Sequence, residues 1–142
     1  SFSVEQEIFI KKTPKDVFEG MTNDVSSWWD HSFTETPKAI ILEPKLGGRF
    51  YEDFGNGNGV IYCTVTHFIK NKKIMLQGPM GMQGAVFGNI NFELEEKDGS
   101  TLLKLSHQAF GEISDDQKKN YSKGWIELLE GRLKKIVETG SL

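Results

Sequence analysis

The sequence predicts an α+β fold: an antiparallel sheet of about six or seven strands, one long helix at the C-terminus and two short helices after the first strand. Two observations carry this. Between residues 33 and 110 strand-like runs follow one another with only turn signals between them, so neighbours in sequence must pair antiparallel. After residue 113 the pattern changes to a 3.6-residue apolar period behind a strong helix-start signal.

Residues 3–11, SVEQEIFIK, alternate loosely and read as the first strand. TPKDVFEGMTND follows as a short helix, with Thr13 as N-cap, Pro14 at the first helical position, and Val17, Phe18 and Met21 as its apolar face. SSWWDH is an aromatic turn or a second short helix. Six strand candidates come next: TETPKAIIL, GGRFYEDF, GVIYCTVTHF, KKIMLQG, GAVFGNINFELEE and STLLKLSHQAF, separated by GNGNG, KNK, PMGMQ and KDG. The glycine-dense GNGNG lies between two strands and no helix follows it to point its N-terminus at an anion. It is therefore a hairpin and not a phosphate cradle. Ser114 to Gln117 form a capping box, Asp115 and Asp116 favour the positive end of the helix dipole, and Gly140 sits where the helix stops. A helix over 115–138 rises ~1.5 Å per residue and is ~35 Å long, enough to cross a whole sheet.

The 142 residues fit one domain spanning 1–142. A net charge of −3 with scattered Lys and Arg gives no footprint for nucleic acid. No apolar run approaches the ~18 residues of a membrane span, and SFSVEQEIFI has none of the sections of a signal peptide, so the cytoplasm is the expected location. Cys63 has no partner for an internal disulfide and reads as a small core residue. His31, His67 and His107 stand at no ligand-like spacing, so neither a metal nor another cofactor is expected.

Several motifs recur in a familiar order: Thr13-Pro14-Lys15-Asp16-Val17-Phe18, Trp28-Trp29, Gly47-Gly48-Arg49-Phe50, Gly59-Val60-Ile61, the alternating run from Gly99 to His107, and Gly124-Trp125 through Leu129. Over residues 4–138 the chain resembles the activator of heat-shock-protein-90 ATPase homologue-like family, a branch of the START and birch-pollen-allergen-like superfamily. The resemblance implies a helix-grip fold, in which a curved antiparallel sheet wraps the C-terminal helix and leaves an apolar cavity between them. It also implies two partner classes. Founding members of the family activate a chaperone ATPase, while related branches bind lipids, hormones or polyketides.

Stepping 100° per residue places Tyr121, Trp125, Ile126, Leu128, Leu129, Leu133 and Ile136 on one arc of the terminal helix, facing the sheet. Arg132 falls in the same arc. It either pairs with a carboxylate such as Glu52, snorkels out at the helix edge, or anchors a ligand carboxylate. On the last strand Leu103, Leu105, His107 and Ala109 share the inward face, which makes His107 either a satisfied core residue or a ligand contact. Met75, Met80, Met82 and Phe87 are expected near one end of the cavity. Trp28 and Trp29 either form its opposite rim or pack the short helix on the sheet.

No G-x-S-x-G, H-E-x-x-H or carboxylate pair marks a catalytic site, and no catalytic residue is assigned. The leading reading is a non-catalytic domain that encloses a small apolar or amphipathic molecule. Phe50, Glu52, Tyr62, Ile90, Phe92, Tyr121, Trp125 and Leu128 are the expected contacts, with His107 and Arg132 orienting the ligand. A chaperone-type interaction module is the alternative. A cyclase- or hydrolase-like enzyme using His107 with Glu52 or Tyr62 is the third.

Overall fold

The computed structural model of the chain describes residues 1–34 and 39–142. Its antiparallel sheet contains β1 (Phe2–Ile10), β2 (Ala39–Leu42), β3 (Arg49–Gly55), β4 (Asn58–Ile69), β5 (Lys73–Gln77), β6 (Val86–Lys97) and β7 (Ser100–Gly111). The strand order is β1-β7-β6-β5-β4-β3-β2. Residues 35–38 of the candidate TETPKAIIL lie outside the described residues. Helix α1 (Pro14–Thr22) and a 3₁₀ turn (Val25–Ser27) connect the two edge strands. Helix α2 (Asp115–Leu128), a π-helical turn (Leu129–Leu133) and α3 (Lys134–Thr139) complete the chain. This curved sheet around a long C-terminal helix is the helix-grip architecture.

Local chemistry accounts for the boundaries. The Thr13 hydroxyl accepts from Asp16 N at 3.3 Å, and the Ser114–Gln117 capping box is closed in both directions, at 3.1 and 2.9 Å. Asn56 and Gly57 have φ of 58° and 81°, the left-handed pair that a two-residue hairpin needs between right-twisted strands. Register shifts in the β3–β4 and β4–β5 pairings mark bulges, which bend the sheet around the helix.

The inward face of β7 is as expected: Leu103, Leu105, His107 and Ala109 are all buried. Trp125, Leu128, Leu129 and Leu133 pack into the same core from the helix. The helix itself departs from expectation, because the π turn interrupts an anticipated unbroken α-helix. A π turn holds one residue more than an α turn, so positions within and after it rotate away from a constant 100° projection. Ile126, at the margin of the predicted arc, is 50 % exposed instead of packed on the sheet. Met75 and Phe87 also lie on the outer face of their strands, opposite in parity to buried Ile74, Leu76, Ile90 and Phe92. Among the described residues, neither lines the space between sheet and helix. Among the described residues no helix is long and apolar enough to cross a membrane.

Candidate functional site

A cleft of about 220 Å³ opens between one face of α2, from its middle to its last turn, the segment 28–34 that follows the 3₁₀ turn, and the inner face of the sheet. Helix α2 contributes Asn120, Tyr121, Gly124, Trp125 and Leu128. Segment 28–34 contributes Trp29, His31, Ser32 and Phe33, while Tyr62 of β4 and Met80 of the β5–β6 loop form the floor.

Segment 28–34 has no regular secondary structure and is held as a strap by side chains distant in sequence. At its start, Arg132 Nε donates to the Trp28 carbonyl at 2.8 Å and Arg132 Nη1 lies 3.7 Å from Asp30. The Trp28 indole donates to the Met21 carbonyl at 3.2 Å. At its far end, Glu52 of β3 is 0 % exposed. It accepts hydrogen bonds from the Ser32 hydroxyl, from Phe33 N–H at 2.8 Å and from the Tyr62 hydroxyl at 3.1 Å. A buried carboxylate with three donors is a stable arrangement, since its lone pairs are satisfied. Phe33 stacks on Tyr62 with centroids 5.9 Å apart. Gly81, at φ +85°, passes so close that a Cβ there would stand 2.8 Å from the Phe33 ring.

Burial, and then the Glu52 charge beside it, push the Tyr62 phenol far above its ordinary range. Burial also pushes Tyr121 up to about 12. Its hydroxyl donates to the Met80 carbonyl at 2.6 Å and ties α2 to the floor, while Met80 N–H bonds the Tyr62 carbonyl at 3.0 Å.

His107 lies one layer deeper. The Trp125 indole donates to its Nδ1 at 2.9 Å, so in the neutral ring the proton sits on Nε2, which is buried with no hydrogen-bond partner among the described residues. Burial alone holds its pKa down to about 4. No hydrogen bond joins His107 to Glu52 or to Tyr62 among the described residues; Tyr62 and Glu52 bond each other, and the partner of His107 is Trp125.

The residues expected around one cavity therefore divide. Tyr62, Tyr121, Trp125 and Leu128 reach the cleft. Phe50, Ile90 and Phe92 surround a separate inner void of about 30 Å³, and Trp29, Met80 and Trp125 border both spaces as a partition. Glu52 stands behind the strap and His107 behind Trp125. Arg132 sits in the π turn and reaches outward to the strap's first residues; its partners are Trp28 and Asp30 rather than Glu52, and it does not line the cleft. Sequence reasoning missed His31, Ser32, Phe33 and Asn120. The dense run of aromatic and polar types in WWDHSF, with neither helical nor strand period, is the signal that marks the strap. Among the described residues no cluster of His, Cys, Asp or Glu is arranged to hold a metal ion.

Solved structures share this architecture. The Aha1 dimer from Colwellia psychrerythraea is 24 % identical, covering 99 % of this chain and 98 % of that one, with a TM-score of 0.70. Protein MLL2253 from Mesorhizobium loti is 18 % identical over 99 % of this chain and 100 % of that one, at a TM-score of 0.77. CalU16 from Micromonospora echinospora is 17 % identical over 95 % of this chain and 73 % of that one, at 0.64. At such identities the likeness carries the fold alone. No curated protein matches by sequence. The decisive match is to a family model described as Activator of Hsp90 ATPase homolog 1-like protein, which spans residues 11–138, from the end of the first strand to the last turn of the terminal helix. The chain belongs to the Activator of Hsp90 ATPase homolog 1-like family.

Proposed function

We propose that residues 1–142 form one START/birch-pollen-allergen-like domain that binds a small apolar or amphipathic molecule in the cleft between the strap, the sheet and α2. The observation that supports this is the wall itself: five aromatic side chains, Met80 and Leu128 around about 220 Å³. The volume is below the ~300–1,000 Å³ of common ligand sites and suits a molecule of one ring or a short branched chain. Rotation of Trp29 or Trp125 would join the inner void to the cleft and admit a longer one.

The test is native mass spectrometry of the purified protein, before and after denaturing extraction, alongside the variant Gly124→Leu. A Cβ at Gly124 meets nothing nearer than His31 Nε2 at 3.9 Å, so a side chain can begin there, on the wall of the cleft that a leucine would fill. An added mass in the native protein that is absent from a folded Gly124→Leu variant is the expected result. An added mass retained by the variant would place the ligand elsewhere and sink the proposal.

A second reading rests on the outer face. Phe87 and Phe110 are 45 % and 59 % exposed and lie against each other with centroids 5.3 Å apart, an apolar pair that a protein partner of the chaperone-ATPase type would cover. Stimulation of an Hsp90-type ATPase that disappears in Phe87→Ser/Phe110→Ser supports it. Absence of stimulation by the wild-type chain removes it.

A further inference from the structure

We infer that the cleft selects a small organic cation of the quaternary or tertiary ammonium type over a neutral or anionic molecule of the same shape. The inference rests on the reading of the cleft as a ligand site and adds to it a charge.

The first support is the ring geometry. Phe33, Tyr62, Trp29 and Trp125 form a continuous chain, with successive centroids 5.9, 5.8 and 6.0 Å apart and interplanar angles of 26°, 52° and 66°. Phe33 stacks on Tyr62, whereas Tyr62, Trp29 and Trp125 are inclined to one another, so the wall is an angular aromatic surface rather than one parallel stack. Aromatic faces carry negative partial charge, and a cation close to several of them is attracted to each.

The second support is the state of the donors. The Trp29 indole is engaged with the His31 carbonyl at 3.0 Å and the Trp125 indole with His107 Nδ1 at 2.9 Å. The Tyr62 hydroxyl donates to Glu52 and the Tyr121 hydroxyl to the Met80 carbonyl. Both indoles and both phenols on the wall thus have their protons engaged within the protein and offer the cleft aromatic carbon and oxygen lone pairs. Among the described lining residues, the side-chain donors left for an anion or carbonyl compound are those of His31 and Asn120. His31 itself lies 3.7 Å from Asp30, so its charge, when present, has a neighbouring counter-charge.

The third support is the field behind the wall. Glu52 is buried directly behind Ser32, Phe33 and Tyr62, its three hydrogen-bond donors are neutral groups, and no Lys or Arg pairs with it among the described residues. A carboxylate without a counter-ion in a poorly hydrated region projects its charge further than one in water. Among the described residues no Lys or Arg side chain lines the cleft. Arg132, the nearest such group in the strap's network, is turned to Trp28 and Asp30. A trimethylammonium group needs no hydrogen-bond acceptor and matches a wall that is apolar in surface and negative in potential.

The experiment is titration of the wild-type protein, followed by tryptophan fluorescence and indole NMR shifts, with three isosteric probes: choline, 3,3-dimethylbutan-1-ol and 3,3-dimethylbutanoate. Choline is expected to bind at least ~10-fold more tightly than the alcohol, as desolvated cation–π contacts allow, with the carboxylate weakest. Glu52→Gln should narrow the choline-to-alcohol ratio by several-fold. The wild-type comparison stands on its own should that variant fail to fold. Equal or tighter binding of the alcohol would overturn the cation inference while leaving the cleft as a ligand site. Failure of all three probes to bind at millimolar concentration would overturn both.

Discussion

The buried imidazole of His107 makes the stability of the fold depend on pH in a calculable way. An unfolded histidine titrates at an ordinary 6.5, and burial holds His107 down to about 4. As pH falls, the unfolded chain therefore takes up the proton first. Between those two values it binds more protons than the native chain does, so native stability falls with falling pH. The neutral ring's full contribution is present above about pH 6.5, is lost progressively below it, and is exhausted below about pH 4, once both states are protonated. At ~1.4 kcal/mol per pH unit, the difference between the two values amounts to roughly 3 kcal/mol. Urea unfolding from about pH 7.5 to about pH 4.5 should be compared between the wild type and His107→Gln. The Gln amide oxygen can accept from the Trp125 indole but does not titrate, so the exposed carboxylates contribute equally to both curves and cancel. The wild type should lose roughly 2–3 kcal/mol more than the variant over that range. Parallel curves would refute the reasoning, as would an imidazole NMR titration showing His107 protonated in the folded state near pH 6.

Two further outcomes follow from the site. Gly81→Ala places a methyl group 2.8 Å from the Phe33 ring at a φ of +85°, so it should destabilise the fold by roughly 1–3 kcal/mol and displace Phe33 from Tyr62. A change in urea stability below ~0.5 kcal/mol would show that the strap gives way without cost. Burial pushes the Cys63 thiol up to about 12, so at neutral pH the native chain should be inert to a thiol reagent and react only once denatured. Prompt labelling of the folded protein would contradict its place in the core.

The sequence was most informative where a local rule decides the structure. The capping box at Ser114, the left-handed residues of GNGNG and the alternation of Leu103, Leu105, His107 and Ala109 each depend on a few neighbouring positions, and each is present in the fold. The parity that turns Phe87 outward is legible too, since it differs from that of Ile90 and Phe92; membership in a Met-rich loop is the weaker guide. The strap is different in kind. Phe33 is fixed by a carboxylate 19 positions away and Trp28 by an arginine 104 positions away, and no local pattern encodes either bond. Arg132 points outward because five consecutive residues adopt a π turn, which a projection at constant angle cannot contain. The division of one expected cavity into a cleft and a void depends on how Trp29, Met80 and Trp125 are rotated, which composition and spacing do not determine.

That π turn also changes what counts as a small edit to this chain. Gly131 lies in its middle, exposed, with nothing within 4 Å of where a side chain would begin. Removing it would leave Trp125 and Leu133 about two regular turns apart at ~3.6 residues per turn, still on one face of the helix. Elsewhere in a helix gripped along its length, loss of a residue would rotate everything beyond it out of the core. Here the surplus residue is already coiled into the helix as slack, so the terminal segment tolerates a change of length at this one place, and the two halves of the helix, one facing the cleft and the other α1, can diverge in length and sequence without losing their alignment.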